Sequence, residues 1–263
     1  MPFTVSHAVA YFPFRKLCPK YLSLSGLIMG AMAPDFEYFL RMTMKGVWGH
    51  TWTGMFLYDL PISLAIITIF HLWIRDPLIR HLPPLLLQKY RKNIGFDWLK
   101  YFRSNPSRVI GSVLLGTITH FMLDAITHEV GYIYPIYINF LMQPYTILGH
   151  SFELYNFLQI GLSVVGLLLA GWLIISGKIK ALYTGWNNFS IWKFWLTIGL
   201  LTFLIILIRY LFHVPEEKPA EQLIVISMSA LMLALLFTSL MYKKVPLMQN
   251  KVQSNEKWRK DYA

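Results

Sequence analysis

Charged residues are scarce in this sequence. Aspartate, glutamate, lysine and arginine make up 14% of its 263 residues, whereas an ordinary soluble domain contains roughly 25%. The charges that are present lie between long apolar runs and do not spread evenly along the chain. Because a soluble fold of this length needs a charged surface, the composition excludes an ordinary soluble domain. It predicts an all-α protein, a polytopic membrane helical bundle of about six spans.

Cysteine is nearly absent as well. Cys18 is the only one in the sequence, which excludes an intrachain disulfide and a cluster of thiolates. Any metal ion bound by the chain must therefore be held by nitrogen and oxygen atoms of histidine, aspartate and glutamate.

Acidic residues are outnumbered by basic ones, 13 against 24, and the formal net charge is +11. A nucleic-acid-binding protein would present a basic recognition element, and the sequence contains no recognisable one. The basic residues lie instead in loops beside hydrophobic segments, as the positive-inside rule for membrane proteins describes. We therefore expect a lipid bilayer, and not a nucleic acid, as the partner.

Long apolar segments are abundant. A helix that crosses the roughly 30 Å core of a bilayer needs about 20 apolar residues, and six segments approach that length: residues 21–40, 55–74, 109–128, 154–177, 192–212 and 222–242. The first contains Pro34, which breaks or kinks a helix, so it is either a full span or a re-entrant pair of short helices. We divide the chain into a polar-site half at 1–155, three apolar spans within 156–243 and a solvated tail at 244–263.

The distribution of lysine and arginine predicts the orientation. Basic residues crowd the segment 75–108 and the tail, whereas none lies between Arg108 and Lys178. Since basic loops stay in the cytoplasm, we expect 75–108 and the C-terminus to be cytoplasmic and 129–153 to be external, in a protein of the bacterial cytoplasmic membrane. Residues 1–20 are inside if the first segment crosses the membrane, and outside if it is re-entrant.

Three polar residues stand out on the apolar segment 109–128. His120, Asp124 and His128 are spaced i, i+4, i+8, which keeps them within about 80° of one another on a helix. One helix face thus carries an imidazole, a carboxylate and an imidazole, a set that can chelate a divalent ion. The alternative is that His120 and Asp124 hydrogen-bond each other and tie helices together.

A second polar cluster follows Pro34. Asp35 and Glu37 lie at the C-terminal edge of a predicted helix, where the helix dipole disfavours carboxylates, so a cation is a good candidate to stabilise them. The alternative is a polar turn at the membrane surface. On the predicted topology His50 lies on the external side with Asp124 and His128. Further candidates there are His150, Glu153 and, only if the N-terminus is external, His7.

The motifs MPFTVSHAVA, GAMAPDFEYF, GHTWTG and GTITHFMLDAITH occur in this order within residues 1–155. In these motifs the chain resembles uncharacterised bacterial membrane proteins that begin MPFTxSH and are related to the YdjM-like membrane-bound metal-dependent hydrolases. The HxxxD pattern is also similar to the site of the zinc-dependent bacterial phospholipase C. The resemblance implies a helical metal site built from His7, Asp35, His50, His120 and Asp124. The chain departs from the related hydrolases at Thr51, where they carry serine after the histidine.

These observations support a first hypothesis, a membrane-bound metal-dependent hydrolase of an ester or phosphoester, possibly lipid-linked, at the outer membrane face. Zinc or manganese would be held by Asp35, His50, His120 and Asp124, with His7 and His128 as additional ligands, and a coordinated water would attack the substrate. Glu37 or Glu153 would act as general base. The second hypothesis is a metal-ion or proton-coupled transporter, although residues 109–119 supply no ionisable group for a path to the cytoplasm. The third is a non-catalytic membrane scaffold.

Overall fold

The computed structural model describes residues 4–10, 12–14, 18, 20–127, 144–147, 150–176, 188–212 and 219–243. Within these residues the chain is helical, apart from an antiparallel hairpin of β1 (Pro144–Ile147) and β2 (His150–Glu153). The all-α prediction is confirmed. The hairpin lies inside the segment 129–153, which we expected to be external.

Ten helices carry the described fold. They are α1 (Thr4–His7), α2 (Leu24–Gly30), α3 (Phe36–Arg41), α4 (Trp52–Arg80), α5 (Pro84–Tyr90), α6 (Trp98–Ser104), α7 (Pro106–Thr127), α8 (Leu154–Ile175), α9 (Asn188–Phe212) and α10 (Pro219–Tyr242). The long helix α4 contains two π-helical turns, Met55–Asp59 and Phe70–Ile74.

Four helices in the described part of the chain are long and apolar enough to cross a membrane. They comprise Trp52–Arg80, Phe157–Ile175, Ser190–Phe212 and Glu221–Tyr242, at the places predicted for residues 55–74, 154–177, 192–212 and 222–242. Helix α7 has 22 residues, which at 1.5 Å per residue is about 33 Å, so its length also fits a crossing. The chain is an integral membrane protein.

The first predicted segment, 21–40, is broken into two short helices. Helix α2 ends at Gly30, a 3-10 turn spans Ala33–Asp35 with Pro34 near its start, and α3 follows. Proline at this place removes a backbone donor and stops the helix, as the sequence predicted. The two-helix alternative is therefore the one that the structure adopts.

The position of α2 makes the N-terminal segment re-entrant. Helix α2 runs alongside α7 in the same direction, because Ser23 bonds to Ser112 at its start and Ala31 bonds to His120 just after its end. Ser112 is twelve residues from Asp124, or about 18 Å along the helix. Yet the preceding helix α1 brings His7 back to within 3.9 Å of Asp124. Helix α1 thus lies at the Asp124 end of α7, whereas α2 starts near Ser112 and runs back towards that end.

Glycines allow α2 and α7 to pack backbone against backbone. A Cβ atom on Gly30 would lie 2.0 Å from the carbonyl oxygen of Val113, and one on Gly116 would lie 2.4 Å from that of Leu27. Small residues at a membrane helix interface permit this close approach. The packing fixes how far α2 projects beside α7, and so places the turn that follows Gly30 next to His120.

The last two spans, α9 and α10, pack against each other. Helices α9 and α10 pack through Phe194, Ile198 and Ala234. Val225 of α10 also packs against Phe36 of α3 in a buried apolar cluster. The apolar pair thereby supports the short helices that carry the polar residues of the N-terminal half.

Candidate metal centre

Five of the six predicted metal ligands lie together at one end of the bundle. They come from four separate parts of the chain: α1 supplies His7, the 3-10 turn Asp35, the segment before α4 His50, and α7 both His120 and Asp124. The sixth, His128, lies outside the described residues. Asp35 and His120 are completely buried, and His50 and Asp124 are nearly so.

Four donor atoms converge on one point. Nε2 of His50 lies 3.4 Å from Oδ1 of Asp35 and 3.3 Å from Oδ2 of Asp124. Nε2 of His120 lies 3.6 Å and 3.2 Å from the same two oxygens. Zinc ligands lie about 2.0–2.1 Å from the metal, so two of them at the tetrahedral angle are about 3.3–3.4 Å apart. The four distances lie in the range expected for neighbouring ligand atoms of one divalent ion. Two sets of donor atoms lie mutually within 4.8 Å and share His120: Asp35, His50 and His120, and His7, His120 and Asp124.

The ring of His120 is oriented as in a metal-bound histidine. Its Nδ1 lies 2.8 Å from the carbonyl oxygen of Ala31, which can only accept, so Nδ1 carries a proton and Nε2 is the ring nitrogen directed to the site. A histidine ligand typically donates its second N–H to such an acceptor. Nε2 of His120 and Oδ1 of Asp35 are buried without a hydrogen-bond partner in the described part of the chain. Buried polar atoms are rarely left so, and a cation between them would satisfy both.

Glu37 positions the segment that carries His50. Its Oε2 accepts hydrogen bonds from the backbone N–H groups of Trp48 (2.8 Å) and Gly49 (2.9 Å), and its Oε1 lies 3.0 Å from the guanidinium of Arg41. Gly49 in turn lies flat against the 3-10 turn, because a Cβ there would be 2.3 Å from the carbonyl oxygen of Pro34. Both contacts fix His50 beside Asp35.

The charges around these residues shift their protonation. Burial would raise the pKa of Glu37, but hydrogen bonds from the backbone of Gly49 and Trp48, together with Arg41, lower it below its usual value. Burial would lower the pKa of His50, but Asp124 and Asp35 raise it to about 9. In both cases the hydrogen bonds and charges of the partners stabilise the ionised form by more than burial destabilises it. The two aspartates thus make the position of His50 favourable for positive charge.

The N-terminal helix α1 closes the site from one side. The hydroxyl of Thr4 donates a 2.6 Å hydrogen bond to Oδ2 of Asp35, which leaves Oδ1 directed to the histidines. His7 stacks on His120 with the ring centroids 4.2 Å apart, and its Nε2 faces Oδ1 of Asp124 at 3.9 Å. His7 is the least buried of the five residues. It therefore lies between the buried donors and the solvent.

The predicted general bases lie in different surroundings. The oxygens of Glu37 are occupied by backbone amides and Arg41, and Glu153 is half-buried where β2 passes into α8. His150 begins β2. The participation of Glu37 or Glu153 in proton transfer stays a prediction.

Two residues with a bearing on the site, Thr4 and Asp59, were not predicted from the sequence. Thr4 was recognisable only as part of the MPFT motif, and its hydroxyl orients Asp35. Asp59 lies within the apolar segment 55–74 and was not among the predicted site residues, yet its side chain is completely buried. A carboxylate inside a predicted span is itself the signal that marks such a residue.

Comparison with known proteins gives a family without a function. Residues 1–242 match the profile of the family described as Domain of unknown function (DUF4184). No curated protein and no solved structure matches the chain. The resemblance to YdjM-like hydrolases and to phospholipase C therefore stays a prediction.

Proposed function

The chain belongs to the DUF4184 family, and we propose that it is a membrane-bound metal-dependent hydrolase that acts on an ester or phosphoester at the outer membrane face. The observation that carries the proposal is the convergence of Asp35, His50 and His120 in a buried site, with Asp124 beside both histidines. A pair of helices tied together by one His–Asp contact would not need four donors around a common point.

The proposed cation is zinc. Two imidazole nitrogens beside two carboxylates suit zinc, whereas magnesium prefers oxygen ligands. Manganese stays the second choice. When bound, a divalent ion lowers the pKa of a coordinated water and polarises an ester or phosphoryl oxygen.

The residues of the chain have distinct parts in this proposal. His120 and His50 supply neutral nitrogens, and Asp35 and Asp124 neutralise the charge of the ion. Thr4 and Glu37 hold Asp35 and the His50 segment in place. His7, at the exposed side of the site, faces an incoming substrate.

The surroundings of the site support a lipid-linked substrate. Trp48 and Trp52 flank His50 in sequence and are both exposed, and tryptophans of this kind concentrate at the membrane–water interface. Arg41 and Lys45 lie exposed in the same segment and match a phosphate in charge. A site at this depth faces the headgroup level of the bilayer.

The side of the membrane follows from the basic residues. The segment between α4 and α7 lies at the opposite end of those helices from His50 and Asp124, and it holds the basic cluster of 75–108. If that cluster is cytoplasmic, the site opens to the outside.

The test uses the detergent-purified chain, stripped with a chelator and reloaded with zinc or manganese. We expect about one zinc per chain by elemental analysis, lost in Asp35→Asn and His50→Ala but retained in Asp97→Asn, a carboxylate at the basic end. The loaded protein should hydrolyse bis(4-nitrophenyl) phosphate or a fluorescent phospholipid in mixed micelles. Bound zinc without hydrolysis, combined with zinc flux into proteoliposomes, would replace the hydrolase by the transporter.

A further inference from the structure

Asp59 is a buried carboxylate that the metal centre described above does not use. Its side chain has 0% exposure, and neither oxygen has a hydrogen-bond partner in the described part of the chain. Asp35, Glu37 and Asp124 all face histidines, amides or arginine. A buried carboxylate without such a donor is rare, and water ordinarily satisfies it.

The helix geometry brings Asp59 to the site. It ends the π-helical turn Met55–Asp59 of α4, and a π turn accommodates one extra residue, which rotates the following residues by about 100°. This turn packs on the 3-10 turn of Asp35 and on α7. Within α-helices such turns are frequent at functional sites.

The charged groups around Asp59 are those of the site. It interacts electrostatically with His50, His120, Asp35 and Glu37, and Tyr58 precedes it on its own helix. One turn further along α4, Ser63 is also buried, and its hydroxyl has no hydrogen-bond partner among the described residues. Asp59 and Ser63 are thus both polar side chains buried within the helix α4.

We propose that Asp59 is the proton acceptor of the site, the carboxylate that receives a proton from the water activated for hydrolysis. This inference rests on the proposed metal-dependent hydrolase and assigns its base to a residue other than Glu37 and Glu153. Its oxygens are uncommitted, whereas those of Glu37 hold the backbone of Trp48 and Gly49.

In the proposed step Asp59 takes one proton from water and later gives it to the leaving group. The water oxygen forms a bond to phosphorus, or to the ester carbon, while one water proton moves to an oxygen of Asp59. The bond to the alcohol oxygen breaks, and that oxygen leaves with the electron pair. Asp59 then gives the proton to the departing alkoxide, so that ester and water become acid and alcohol and the carboxylate is regenerated.

Cobalt(II) provides a test that needs no substrate. The visible spectrum of the cobalt-loaded chain should change between pH 5.5 and 9 as the coordinated water loses its proton. In Asp59→Asn the midpoint should fall by about one pH unit, because a neighbouring negative charge that opposes proton loss is gone. Metal content should be unchanged. Ser63→Ala, one turn away on the same helix, should leave the midpoint where it is in the natural protein.

Hydrolysis of bis(4-nitrophenyl) phosphate gives the second readout. Asp59→Asn should lower kcat at least about 100-fold with little change in KM. Asp59→Glu keeps the carboxylate one methylene further out and should retain the spectral transition and part of the activity. If Asp59→Asn does not fold, Asp59→Glu provides the test in its place.

The outcomes separate the two proposals. A chain that binds no cobalt overturns the metal site and this inference with it. A chain that binds cobalt with no spectral transition, or with the same midpoint in Asp59→Asn, overturns the role of Asp59 and leaves the metal site standing.

Discussion

Nδ1 of His120 lies 2.8 Å from the carbonyl oxygen of Ala31. This bond fixes the tautomer of the histidine and links the end of α2 to the ligand-bearing face of α7. It exists because Gly30 and Gly116 bring the two backbones into contact, so the proposed metal centre depends on helix packing one turn away from it.

His120→Ala and Asp124→Ala should each abolish stoichiometric zinc while the protein stays inserted and folded, because each removes a donor from a four-ligand site. If the pair were only structural, each single change would leave the other side chain buried without its hydrogen-bond partner. This would lower the free energy of unfolding by about 1–3 kcal/mol, and the double variant would regain stability. Elemental analysis and thermal unfolding of both single variants and the double variant distinguish the two. Zinc retained in all three would remove these residues from the site.

Gly30→Ala should destabilise the protein by about 1–3 kcal/mol and weaken zinc binding, because the new Cβ would meet the carbonyl oxygen of Val113 at 2.0 Å and push Ala31 away from His120. Gly111→Ala is the matched control on α7, since no atom lies within 4 Å of its Cβ position. Thermal unfolding and zinc titration measure both effects. Equal behaviour of the two variants would contradict the proposed packing link.

Glu37→Gln should weaken zinc binding by about 10–100-fold, the usual effect of losing an outer-shell partner, because the carboxylate that holds Trp48 and Gly49 loses its charge. The control is Arg41→Gln, which removes only a half-exposed ion pair worth at most about 1 kcal/mol. Isothermal titration with zinc compares the two. If Glu37 is instead a general base, zinc affinity will be unchanged in Glu37→Gln and only hydrolysis will fall.

Thr4→Val should also reduce zinc affinity by about 10–100-fold, since it removes the hydroxyl that donates to Oδ2 of Asp35 at nearly constant volume. Thr4→Ser keeps the donor and should bind zinc as the natural protein does. Competition with a chromogenic chelator measures both affinities. Identical zinc affinities of Thr4→Val and Thr4→Ser would show that the N-terminal helix does not orient Asp35.

Membrane orientation is tested by labelling single cysteines in a Cys18→Ser background with an impermeant thiol reagent on intact cells. We expect Tyr145→Cys, in the exposed β1 strand, to react, and Asn93→Cys, in the basic segment between α4 and α7, to react only after lysis. The reverse pattern would place the metal site on the cytoplasmic side.

Much of the architecture was predictable from local sequence. Apolar runs of about 20 residues set the positions of the four membrane helices, because a helix satisfies its backbone hydrogen-bonding groups within its own segment of chain. Pro34 marked the break between α2 and α3, and the i, i+4 spacing of His120 and Asp124 placed both on one face of α7. Each of these features is decided within a few helical turns.

The composition of the site was decided by tertiary structure. His7 reaches Asp124 only because the N-terminal segment is re-entrant, one of two alternatives that the sequence left open. Glu37 holds the His50 segment because Trp48 and Gly49 fold back over it. The π turn that ends at Asp59 packs on the 3-10 turn that carries Asp35. These contacts join residues far apart in sequence, so periodicity and spacing, which act along one helix, contain no information about them.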